Sequence, residues 1–137
     1  MKTFLSTISM IFLSIFLHAQ VYKTIECTAG NLSNLLSATE KSTITNLTIS
    51  GTIDSRDLKT MRDDMPYITY LDIQNSNILA YTGTQGTNGT SIITYPENEI
   101  SAYSFSLRKN LEMIIMPENL TSIGYGCFSW CTAITNI

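Results

Sequence analysis

The chain has 137 residues, 44% of them hydrophobic, with eight Lys and Arg against 11 Asp and Glu for a net charge of −3. No basic stripe is present to track a phosphate backbone, so nucleic acid is not expected as a partner. The one histidine, His18, lies in the N-terminal apolar segment; the remaining chain therefore lacks the parts of a Ser-His-Asp, Cys-His or His-metal site.

Residues 1–19 read as a secretory signal peptide. Lys2 supplies the positive start, Phe4 to Leu17 is a short apolar run broken by Ser and Thr, and Leu17-His18-Ala19 ends on a small residue suited to cleavage. The run is too short and too interrupted for a good membrane span, so no span is expected in the mature chain; an uncleaved anchor is the lesser alternative. Cys27 follows Thr24-Ile25-Glu26, which lacks the small residues of a lipoprotein cleavage box.

Residues 20–43 are expected to form an N-terminal cap. Within them, 31–41 (NLSNLLSATEK) reads as a short amphipathic helix that would cover the open end of a repeat array. Residues 44–137 then carry the repeats. Three segments, 44–49 (ITNLTI), 68–73 (ITYLDI) and 111–116 (LEMIIM), place apolar residues at positions one, four and six. A fourth, ITNI, begins at 134 and is cut short. This is the strand portion of a leucine-rich repeat, L-x-x-L-x-L, with alternate side chains entering the core. At the ninth position, Asn119 stands in one coil, Ser76 and Thr52 in the others, which predicts an imperfect side-chain ladder at that corner.

Between the first two strands, 54–66 (DSRDLKTMRDDMP) predicts a helix of about three turns. Asp54 suits the N-cap and Asp57 the positive first turn; Leu58, Met61 and Met65 make one apolar face; Pro66 cannot continue it. The strands starting at 68 and 111 lie too far apart for one coil. A hairpin-like insertion near 79–98 accounts for this, with the turn-rich YTGTQGTNGTS (81–91) flanked by Tyr81 and by Ile92-Ile93-Thr94-Tyr95.

The C-terminal part repeats with a shift of 23 residues: Ile100 with Ile123, Phe105 with Phe128, Ser106 with Ser129, Leu111 with Ile134. Phe105 and Phe128 are expected to stack in register. Short helical turns are expected around AYSF and YGCF. Cys127 and Cys131 are four apart; they read as small apolar residues packed between coils, since a disulfide between such neighbours on a helix is strained. Because the last repeat is truncated, the chain reads as part of a longer array, with its final coil exposed and exchanging amide hydrogens faster than residues 44–73.

At these residues the chain resembles the BspA-like leucine-rich repeat surface proteins of Bacteroidetes and related bacteria. PENLTSIGYGCFSWCTAITNI is similar to the family's repeat, with its Pro, its SIG, its buried Phe and its Cys before the next strand. The upstream series CTAGNLSNLLS, LTISGTIDSRDLKTMRD, AYTGTQGTNGTS and YPENEISAYSF resembles the family's N-terminal region. Two departures stand out: Arg108 takes the place of Cys131, and Leu107 that of Trp130, one repeat earlier. The resemblance implies a leucine-rich repeat solenoid of α/β type, with parallel strands and short helices on its convex side. It also implies secretion to the cell surface and binding of host proteins, matrix or other microbes.

The expected function is therefore that of a secreted or cell-surface protein mediating adhesion or the binding of a protein or glycan ligand. The alternative is the N-terminal targeting or binding module of a larger surface enzyme. No catalytic, cofactor-binding or metal-ligating residue is assigned, no cofactor is expected, and the chain is not expected to be an enzyme. Its densest acidic set, Asp54, Asp57, Asp63, Asp64 and Asp72, reads as helix start and solvated surface. Four sequons, at Asn31, Asn46, Asn88 and Asn119, read as coincidence in an Asn- and Thr-rich chain. Tyr67, Tyr70, Tyr81, Tyr95, Tyr103 and Tyr125 are the surface aromatic candidates; of these, Tyr70, with Asp72, occupies an outward strand position on the concave sheet face and is the candidate binding pair.

Overall fold

The structure, a computed structural model, describes residues 19–137; apart from Ala19, the segment assigned to a signal peptide lies outside them. In chain order the elements are β1 (Tyr22–Cys27), α1 (Leu32–Leu35), α2 (Ala38–Lys41), β2 (Asn46–Ile53), α3 (Ser55–Asp64), β3 (Tyr70–Asp72), β4 (Ser76–Ile78), β5 (Tyr81–Gly83), β6 (Ile93–Tyr95), β7 (Glu99–Ile100), β8 (Met113–Ile115) and β9 (Ser122–Ile123).

A parallel sheet runs in the order β1-β2-β3-β8, and β4 pairs with the second half of β2. Each strand alternates. Ile25 and Cys27, Leu47 and Ile49, Leu71 and Ile73, and Ile114 turn inward and are almost fully buried. Leu58, Met61 and Met65 from the α3 segment close the other side of this core. Burying such side chains, at roughly 1.5–3 kcal/mol each, is the main force holding the coils together.

β1 is a strand of the sheet within the segment read as a cap. Its YKTIEC pattern lacks the apolar residue that opens each repeat strand. Pairing supplies what the pattern withholds: Tyr22 to Cys27 lie in continuous register with Asn46 to Gly51. Gly51 is required there. Its φ is +90° and an added Cβ would sit 2.4 Å from the Cys27 carbonyl oxygen.

The predicted helix over 31–41 is instead two short ones. Leu36 is extended, and Ser37 starts α2 with a capping box to Glu40. A local cap that satisfies backbone donors at Ser37 outweighs continuation of the amphipathic period. α3 follows its expected start: Asp54 accepts the Arg56 N–H and Asp57 reaches back to the Asp54 N–H. Around AYSF and YGCF the chain makes turns rather than helices. Tyr103, Leu107 and Trp130 take left-handed backbone there, which no α-helix contains.

β5 and β6 pair antiparallel, with Tyr81 opposite Tyr95. The loop between them is fastened to α3. The Thr87 N–H donates to Ser55 Oγ at 3.1 Å, its hydroxyl to the Ala102 carbonyl at 2.6 Å, and Arg62 donates to the carbonyls of Thr87 and Tyr103 at 2.8 and 3.0 Å. Tyr95, read as a surface aromatic, is buried against Tyr81; an insertion that folds back onto the helix needs its own small apolar contact.

Arg108, the departure from the repeat's cysteine, caps the C-terminal end of α3. Its guanidinium donates to the Arg62 carbonyl at 2.8 Å and to the Met65 carbonyl. Carbonyls at a helix end lack intrahelical partners and carry the negative end of the helix dipole, so a cation there is favourable. Replacing Arg108 with Ala is expected to lower unfolding free energy by about 2 kcal/mol, and Arg108→Lys by less, because an ammonium lacks the two-pronged fork. Urea titration of the three proteins measures this; equal stability of Arg108→Ala and the parent would refute the capping role.

Candidate functional site

Alternation in the strands leaves two outward rows across the sheet. Register places Tyr22, Asn46, Tyr70 and Met113 in one row and Thr24, Thr48, Asp72 and Ile115 in the next. Tyr70 and Asp72 are half-buried at the middle of this face, on β3, and the structure brings both together with Asn46, Thr48, Met113 and Ile115. Tyr22, at the β1 edge, is 69% exposed. The face mixes two tyrosines, amide and hydroxyl groups and two thioether or aliphatic side chains. Its carboxylates are Glu26 and Asp72. Lys23, on β1, instead pairs with Glu40 of α2. That pairing, with the Ser37 backbone and hydroxyl, holds the Glu40 carboxyl down at about 2.

The acidic residues do not converge. Asp54 pairs with Arg56, Asp63 with Arg62, and Asp64 lies 3.9 Å from Lys41. Asp72 accepts the Gln74 N–H at 3.0 Å. Asp57 accepts three backbone N–H groups, from Gly30 at 2.6 Å, Leu32 at 2.9 Å and Asp54 at 2.9 Å. Burial pushes its carboxyl above the usual range, against the opposing pull of those donors. Among the described residues, no three His, Cys, Asp or Glu side chains are placed to hold a metal ion.

All three cysteines are free thiols. Cys27 and Cys127 sit in the core, and burial pushes their pKa up to about 11 and about 12. Cys131 is half-buried and its Sγ donates to the Phe105 carbonyl at 2.8 Å. In the folded protein, iodoacetamide at pH 8 is expected to label Cys131 first and Cys27 and Cys127 only on unfolding, as mass spectrometry of digests reads directly. Core thiols that hold their protons more tightly than in the unfolded chain add stability that is complete below the ordinary thiol value, 9.0. It is lost as pH rises toward about 12. A Cys127→Ala variant is therefore expected to show a shallower loss of melting temperature over that window.

The corner after the strands is laddered by side chains of several kinds. Thr52 Oγ1 accepts the Ala29 N–H at 3.0 Å, and the Ser76 hydroxyl donates to the Ile49 carbonyl at 2.9 Å. The register slips by one residue here: Thr48 pairs with Asp72, but Thr52 pairs with Asn77 rather than Ser76. Asn119 then bridges Asn77 and Asn98. The recurrence of Asn at 77, 98 and 119 was visible in the sequence but runs at a shorter interval than the 23-residue repeat, so the repeat concealed it.

Parallel strands at coil spacing, an alternating apolar interior and returns by turns and the short helices α1, α2 and α3 are the architecture of leucine-rich repeats. Residues 84–137 match the family described as BspA type leucine rich repeat region (6 copies), so this part of the chain carries repeats of that family. The match begins in the hairpin loop; β1 to β5 lie before it. No curated protein matches the chain.

Proposed function

We propose that this is a secreted or cell-surface protein that binds a protein partner through the outward strand face, and that it acts by adhesion rather than catalysis. In this reading residues 20–43 cap the first end of a leucine-rich repeat solenoid, and residues 1–19 direct export. One observation carries the binding reading: four parallel strands in register present Tyr22, Asn46, Tyr70 and Met113 side by side, with Thr24, Thr48, Asp72 and Ile115 next to them. Tyrosine and methionine are both enriched at protein interfaces relative to the rest of the surface. No described helix is long and apolar enough to cross a membrane.

The test is surface plasmon resonance of the full chain against a panel of purified extracellular-matrix glycoproteins. At least one is expected to bind saturably. Tyr70→Glu should weaken that binding by about tenfold or more, as loss of a central aromatic anchor typically does. Asp72→Ala should weaken it less. Binding that survives both changes places the site elsewhere.

A further inference from the structure

Beside the strand face, and separate from it, Gln74, Asn75, Ser76, Asn77, Glu118 and Asn119 line an open groove of about 350 Å3. All but Ser76 are exposed. An amide carries two donor hydrogens and a carbonyl acceptor. Asn119 spends both hydrogens within the protein, donating to Asn77 Oδ1 at 3.2 Å and to Asn98 Oδ1 at 2.8 Å. Those two bonds orient all three amides. They leave the NH2 groups of Asn77 and Asn98 and the carbonyl of Asn119 without a protein partner among the described residues. Gln74 Nε2 leans toward Glu118 Oε1 at 3.5 Å, and Asn75 adds a further exposed amide.

This lining selects a ligand class. Its one ionised group is Glu118, so phosphate, sulfate and uronate ligands meet repulsion and no compensating cation. It offers no large apolar side chain, so it has no pocket for a lipid or for the side chains of a peptide. What it offers is a row of fixed donors and acceptors. Sugar hydroxyls both donate and accept, and vicinal pairs match an amide or a carboxylate. The row follows coils stacked about 4.8 Å apart, a step comparable to one pyranose ring in an extended chain. We propose that this groove binds a neutral glycan, several sugar units running along the stacked coils.

Isothermal titration of the full chain with cellohexaose, xylohexaose and mannohexaose tests this, with an oligogalacturonate as the anionic comparison. At least one neutral hexasaccharide is expected to bind. Glu118→Ala and Asn75→Ala, which leave the Asn77–Asn119–Asn98 bridge intact, should each weaken it by about fivefold to tenfold, the loss of one or two hydrogen bonds. Asn119→Ala should abolish it, with melting measured alongside to separate loss of the site from loss of the fold. Tyr70→Glu should leave it unchanged, so this site and the strand face are tested apart. The proposal is overturned if no neutral hexasaccharide binds, if the oligogalacturonate binds more tightly, or if binding is indifferent to Glu118→Ala and Asn75→Ala.

Discussion

Asp57→Ala is expected to lower the unfolding free energy by about 4 kcal/mol, the largest effect of any single polar substitution in the chain. Its carboxylate is 1% exposed and accepts the N–H groups of Gly30, Leu32 and Asp54. Those donors belong to two segments: the turn leading into α1 and the start of α3. One side chain therefore both caps its own helix and joins the N-terminal segment to the first coil. Removing it orphans three backbone donors, and a buried unsatisfied group costs about 1–3 kcal/mol. The cost arises from those three backbone donors, which lose the carboxyl oxygens that accept them. Asp57→Asn keeps one carbonyl acceptor and is expected to lose roughly half as much. Equilibrium urea unfolding of both variants measures the difference. Hydrogen exchange at Gly30 and Leu32 should accelerate in Asp57→Ala before that of β1 does; unchanged exchange there would contradict the assignment.

The second large effect lies at the aromatic stack. Phe105 and Phe128 have ring centroids 5.6 Å apart and planes 8° from parallel. The 23-residue spacing predicts this pairing, and the structure refines what it implies. Phe105 is 2% exposed, whereas Phe128 packs against the core only in part. Phe105→Ala is therefore expected to cost about 3–5 kcal/mol and Phe128→Ala about half of that. Their double variant should fall short of the sum by about 1 kcal/mol, the coupling typical of an aromatic pair in contact. Additive losses in thermal or urea unfolding would show that the rings do not stabilise one another.

Much of the fold was legible because its signals are local. L-x-x-L-x-L announces a strand whose alternate residues face a core, and Leu47, Leu71 and Ile114 occupy equivalent inward positions. Asp54 and Asp57 mark a helix start through donors two and three residues away. Tyr70 and Asp72 were legible as outward residues through the same alternation. The amide groove was not, because its lining comes from two coils: Gln74 and Glu118 are 44 residues apart in sequence.

By itself, then, the sequence determined the repeat, the inward and outward rows, the position of α3 and the stacking of Phe105 on Phe128. Each is set by periodicity or by hydrogen bonds that close within one turn. Only the tertiary structure decided the rest. It recruited YKTIEC as a strand, because β2 offered it a register. It turned Arg108 from an interruption of the cysteine pattern into the cap of a helix 43 to 46 residues earlier. It folded the hairpin loop onto α3 through Thr87 and Arg62, and it set three asparagines side by side. Such contacts join groups whose spacing follows no period; they depend on where the chain returns, and that is known only once the coils have stacked.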